Sequence, residues 1–120
     1  QGGRLRANLQ GARADRDIAL ARYEQAIQAG FREVADALAL TTTLAEQREA
    51  MQASVHAATE SDKLSRARYA AGRDSYLVLL DAQRTLYATQ QVLIATRLEE
   101  QLNRVALYKA LGGGINGGGP

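Results

Sequence analysis

The chain has 120 residues, which is enough for one domain at most. Hydrophobic residues make up 46% of it but aromatic residues only 5%, so its composition favours long helices packed through small side chains. It contains no cysteine, which excludes a disulfide framework and a thiolate metal site. The net charge is only +2, and arginines interleave with acids, so the charge pattern indicates solvated faces and no nucleic-acid partner.

Residues that break helices lie mostly near the two ends of the chain. Eight of the eleven glycines are at positions 2–3, 112–114 and 117–119. Between Gly30 and Gly112 there is a single glycine, Gly72, which can adopt the left-handed conformation that ends a helix. Asp74 or Ser75 can then cap a following helix. The sequence therefore predicts a helix, a tight turn at Gly72 and a second helix.

The first predicted helix covers about residues 4–70. Apolar residues recur at steps of three, four and seven from Leu5 to Leu64, which is typical of an amphipathic helix with coiled-coil character. At 1.5 Å per residue this helix would be about 100 Å long. Such a rod needs packing partners along its whole length.

The second predicted helix covers about residues 75–111. Two rows of residues spaced by seven, 79/86/93 and 80/87/94, followed by Leu98, Leu102 and Val105, predict a heptad-like seam. This helix would be about 54 Å long and would pair with only the distal half of the first. The proximal half, about Leu5 to Leu38, would pack on something outside this chain. Residues 1–111 would form one antiparallel coiled-coil hairpin, and 112–120 a flexible glycine-rich tail.

Four segments resemble one known family. The turn region, YAAGRDSYLVLLDAQ at 69–83, is similar to the periplasmic tip of the TolC-like outer-membrane efflux factors. The segment GGRL at 2–5 resembles that family's exit from its last barrel strand, and YEQAIQAGFREVADAL at 23–38 resembles its long-helix signature. The segment LYKALGGG at 107–114 resembles the ending of the drug-efflux outer-membrane lipoprotein branch. The resemblance covers nearly the whole chain, with the segments in the family's order.

The resemblance implies that the chain is a fragment, the last helical pair of a parent of several hundred residues. Such a parent is a trimer, with a β-barrel in the outer membrane of a Gram-negative bacterium and an α-helical barrel in the periplasm. This segment would be part of the tunnel wall and its gated tip. The parent would export drugs or other small molecules received from an inner-membrane pump through a periplasmic adaptor protein. Neither enzyme chemistry nor a cofactor is implied.

Leu77 and Asp81 are the candidate gate residues. They are four positions apart, so they lie on one face near the start of the second helix. Spacing alone favours a core leucine and a solvated acid near a helix N-terminus, where the helix dipole stabilises it. The resemblance implies that three copies form an apolar constriction and a ring of carboxylates.

The turn itself supplies the other candidate residues. The resemblance implies that Gly72, Arg73 and Asp74 dock the adaptor, although family members carry a basic residue where Asp74 stands. We expect Tyr69 and Tyr76 to pack at the tip.

Two other functional classes remain as alternatives. A free-standing coiled-coil hairpin, such as that of a periplasmic adaptor, would have a similar composition. An enzyme is disfavoured because no residue set activates a nucleophile or a water. His56 and Glu60 are one helical turn apart, but two ligands are too few to predict a metal site.

Overall fold

The computed structural model describes residues 1–116, with side chains up to residue 112. It is a hairpin of two helices, α1 (Gly2–Ala70) and α2 (Tyr76–Asn116), in a rod of 104 × 23 × 20 Å. The all-α hairpin predicted from the sequence is confirmed. α2 extends to Asn116, so residues 112–116 of the predicted tail are helical, and 117–120 lie outside the described residues.

The turn between the helices is a Schellman motif centred on Gly72. The Arg73 N–H donates to the Arg68 carbonyl at 2.8 Å, and the Gly72 N–H donates to the Tyr69 carbonyl at 2.9 Å. This pair of bonds requires a left-handed residue, and Gly72 has φ of 71°. The predicted turn at Gly72 is therefore present, with the backbone conformation that glycine accepts most easily.

Ser75 caps α2 at its first turn. Its hydroxyl oxygen accepts a hydrogen bond from the Val78 N–H at 3.4 Å, which satisfies one of the free donors at the helix start. Of the two predicted capping residues, Ser75 therefore has this role. Asp74 instead accepts a hydrogen bond from the Arg68 side chain.

One of the two predicted heptad rows of α2 faces α1. Leu79 is buried and Leu86 and Leu93 are half-buried, whereas Tyr87 and Ile94 are 65% and 58% exposed. The continuation that we predicted for the seam, through Leu98, Leu102 and Val105, is exposed as well. That part of the prediction is wrong for the hairpin itself. Successive residues are about 100° apart around a helix, so a single partner helix covers only one narrow row.

The N-terminal part of α1 has no partner within the described chain. Every residue from 1 to 29 is exposed, and the first half-buried positions are Gly30 and Val34. The paired part of α1 therefore begins at about Gly30, whereas the sequence predicted that it begins after Leu38. Part of this difference comes from the length of α2, whose five additional residues extend it by about 7.5 Å along α1.

The interface between the helices is small and partly polar. Of the side chains that the structure describes, the buried apolar ones are Ala37, Leu44, Ala58 and Leu79, and the buried polar ones are Asp62, Ser65, Thr96 and Asn103. The Asn103 amide donates to the Ala37 carbonyl at 3.0 Å and to the Thr41 hydroxyl at 2.9 Å. The Thr41 hydroxyl donates in turn to the Ala37 carbonyl at 2.8 Å. These bonds join α2 to α1 and help to fix the register of the hairpin.

Candidate functional site

Leu77 and Asp81 both lie on the outside of the hairpin at the start of α2. Leu77 is 76% exposed, and Asp81 is also exposed. Leu77 is therefore not a core residue of this hairpin, although spacing alone allowed that interpretation. An apolar side chain and a carboxylate one helical turn apart thus form a surface that is free to meet other helices or a solvent-filled space.

The surface beside Asp81 contains no pocket for a drug-sized ligand. A shallow groove of about 160 Å³ runs there between α1 and α2, and its walls are Ala58, Ser61, Ser65, Val78, Asp81, Ala82 and Thr85. Sites for drug-sized ligands usually occupy about 300–1,000 Å³. One hairpin alone therefore offers a polar surface rather than a closed binding site at this end.

An ion pair joins the end of α1 to the turn. Arg68 Nε lies 2.8 Å from Asp74 Oδ2, and the Asp74 side chain is only 16% exposed. The hydrogen bond to Asp74, together with the attraction of its negative charge, raises the pKa of Arg68. Asp74 is thus already paired within the chain, whereas Arg73 is exposed at the apex.

Tyr69 and Tyr76 contact each other across the turn. Their ring centroids are 5.8 Å apart and their planes are inclined by 55°. Tilted aromatic pairs at this distance contribute about 0.5–1.5 kcal/mol beyond the area they bury. The pair therefore connects the last turn of α1 to the first turn of α2 and helps to hold the apex in one conformation.

Comparison with known proteins identifies the family. The model of the outer membrane efflux protein family matches residues 1–113. The chain belongs to this family. It is 45% identical over 117 residues to outer membrane protein OprJ of Pseudomonas aeruginosa, covering 98% of this chain and 24% of OprJ. It is 46% identical over 112 residues to the probable efflux pump outer membrane protein TtgC of Pseudomonas putida, covering 93% of this chain and 23% of TtgC.

Solved structures agree with this assignment to the outer membrane efflux proteins. A membrane protein from Pseudomonas aeruginosa superposes with a TM-score of 0.80 at 44% identity, over 92% of this chain and 25% of that one. CusC, described in terms of transmembrane channel formation, gives a TM-score of 0.73 at 46% identity, over 75% of this chain and 26% of CusC. The chain thus spans about a quarter of the length of these relatives. The names of the relatives describe efflux and membrane proteins rather than enzymes.

Three polar residues of this efflux-protein segment lie between or beside the two helices in positions that the sequence did not predict. The interleaved charges predict solvated faces, yet the Glu100 side chain is only 12% exposed and lies 2.8 Å from Arg48 Nε on α1. Asp62 and Asn103 are both buried between the helices. The sequence carries one signal for Glu100: it lies seven residues after Leu93, in the same row as Leu79.

The other candidate residues are His56 and Glu60, which lie one helical turn apart on α1. His56 is exposed, and Glu60 instead accepts a hydrogen bond from Lys63 at 3.4 Å. Within residues 1–116, no group of three or more histidine or acidic side chains could hold a metal ion. In the same range, no helix is long and apolar enough to cross a membrane.

Proposed function

We propose that this chain forms one helical pair in the periplasmic tunnel wall of an outer-membrane efflux channel, with its turn at the gated tip. The observation that carries the proposal is the outward position of the large apolar side chains on a rod 104 Å long. Residues 1–29 are all exposed, and Tyr87 and Ile94 in the second apolar row of α2 are exposed as well. A hairpin with apolar surfaces on several sides is suited to a closed ring of helices.

The parent protein would be a homotrimer in the outer membrane, and this segment would lie in the periplasm. Three copies of the exposed Leu77 would then form a narrow apolar ring at the tip. Three copies of Asp81 would form a ring of carboxylates, which attracts cations. Opening would be a rearrangement of helix pairs, without any covalent step.

The partners follow from the same arrangement. The apex, with Gly72, Arg73 and the Arg68–Asp74 ion pair, would contact a periplasmic adaptor that links the channel to an inner-membrane pump. Drugs or other small molecules would pass through the tunnel. The family match over residues 1–113 supports a channel segment over a free-standing adaptor hairpin.

Single-channel conductance in a planar bilayer tests the proposal, using the full-length protein that contains this segment. We expect Leu77→Ala to raise the conductance, because the apolar ring widens. We expect Asp81→Asn to weaken the preference for cations, because the ring loses its charge. Leu98→Ala and Asp36→Asn change exposed residues away from the tip and serve as matched controls. If Leu77→Ala and Asp81→Asn both leave conductance and selectivity as in the wild type, this face does not line the constriction.

A further inference from the structure

A groove with an excess of positive charge lies on the side of the hairpin, far from the turn. Its volume is about 270 Å³, and its walls are Arg48, Arg97, Glu100, Gln101 and Arg104. Arg48 comes from α1 and the other four from α2. Three guanidinium groups and one carboxylate therefore surround the same small space.

The carboxylate in this groove already has a counter-charge. Glu100 Oε1 lies 2.8 Å from Arg48 Nε, and the Glu100 side chain is only 12% exposed. In the part of the chain that the structure describes, neither Arg97 nor Arg104 has an acidic oxygen within 4.0 Å. Two positive charges are therefore left without a counter-charge at one site.

The Arg48–Glu100 ion pair also links the two helices at this groove. On its other side lies a smaller groove of about 110 Å³, whose walls include Thr41 and Asn103. Asn103 and Thr41 are hydrogen-bonded across the two helices. The wall shared by the two grooves is thus held by contacts that join α1 and α2, so that less side-chain ordering is needed when a ligand binds.

We propose that this groove binds one oxyanion, either a phosphate or a carboxylate group. Arginine presents its N–H donors in a planar fork that matches the paired oxygens of both groups. The Gln101 amide adds a further donor. The volume suits a small anion and falls below that of usual sites for drug-sized ligands, about 300–1,000 Å³. The anion comes either from solution or from an acidic side chain of a second copy of this chain.

NMR titration of the whole 120-residue chain tests the proposal. The arginine Nε–H signals are followed while inorganic phosphate or acetate replaces chloride at constant ionic strength. We expect saturable shifts at Arg97 and Arg104 with at least one of the two probes. In the double variant Arg97→Gln/Arg104→Gln, followed through the Arg48 Nε–H signal, the affinity should be weaker by about tenfold or more, because the charge-assisted hydrogen bonds of both side chains are lost. Arg84→Gln, an exposed arginine of α2 outside the groove, should leave the affinity unchanged.

A second series separates the two sources of the anion. Without added phosphate or acetate, the same signals are followed as the protein concentration is raised. Shifts of Arg48, Arg97 and Arg104 that grow with protein concentration, with the Arg48 shift lost in the double variant, assign the anion to an acidic side chain of another copy. Saturation by phosphate or acetate without such a concentration dependence assigns it to a free ion. Shifts that are linear in anion concentration and equal at all arginines, with no concentration dependence, overturn the proposal.

Discussion

Replacing Gly72 by alanine should destabilise the hairpin through the backbone alone. The residue has φ of 71°, and a methyl group built on it would have no heavy atom within 4 Å. Steric overlap with other residues therefore contributes nothing to the cost. What remains is the penalty of the left-handed conformation for an L-residue, roughly 1–2 kcal/mol. Gly72→Asn should cost less, because asparagine tolerates this conformation better than alanine does.

Gly30→Ala is the matched control, and its expected effect on the free energy of unfolding has the opposite sign. It lies within α1, and a methyl group there would also have no neighbour within 4 Å. Because its backbone is helical, Gly30→Ala should stabilise the hairpin by up to about 1 kcal/mol. Urea denaturation of the 120-residue chain, followed by far-UV circular dichroism, measures both free energies of unfolding. If the two alanine variants shift that free energy in the same direction, backbone conformation is not what determines the effect.

Two predictions concern the polar side chains between the helices. Asn103→Ala removes two hydrogen bonds of about 0.5–1.5 kcal/mol each. It should therefore lower the free energy of unfolding by roughly 1–3 kcal/mol in the same assay. An unchanged free energy of unfolding would contradict this expectation. Asp62 is buried, accepts a hydrogen bond from Arg66 through one oxygen and has no partner for the other. Asp62→Leu should therefore be neutral or stabilising, whereas Arg66→Gln should be destabilising, because it leaves the carboxylate buried without its counter-charge. Arg84→Gln is the control, and a larger loss of stability for Asp62→Leu than for Arg66→Gln would refute this ranking.

The turn could be predicted from the sequence because its determinants are local. A left-handed glycine and a capping serine within a few residues are sufficient to end one helix and start another. Gly72 and Ser75 have these roles in the structure. The approximate extents of the helices were also predictable, since the interior of each lacks proline, although the glycines at 112–114 predict an earlier end for α2, which continues to Asn116.

The face of α2 that packs on α1 could not be chosen from apolar spacing. The row that begins at Leu79 and the row that begins at Leu80 are both apolar, and each fits a heptad. The choice depends on polar residues further along, where Glu100 pairs with Arg48 and Asn103 bonds to α1. A polar side chain at a seam position gives no sign in the sequence that it will be buried. Its partner lies on the other helix and is distant in sequence.

The balance of buried and exposed apolar residues explains why this segment needs neighbours. Among the side chains that the structure describes, four apolar residues are buried and 22 large hydrophobic residues are exposed. Fully burying one large apolar side chain contributes about 1.5–3 kcal/mol. Covering the exposed ones would therefore add substantially to the stability that the hairpin's own apolar core provides. In the proposed channel, adjacent helix pairs would supply this cover, so that most of the stability of the wall would come from assembly. The polar seam would then mainly fix the register, while the apolar surfaces hold neighbouring pairs together.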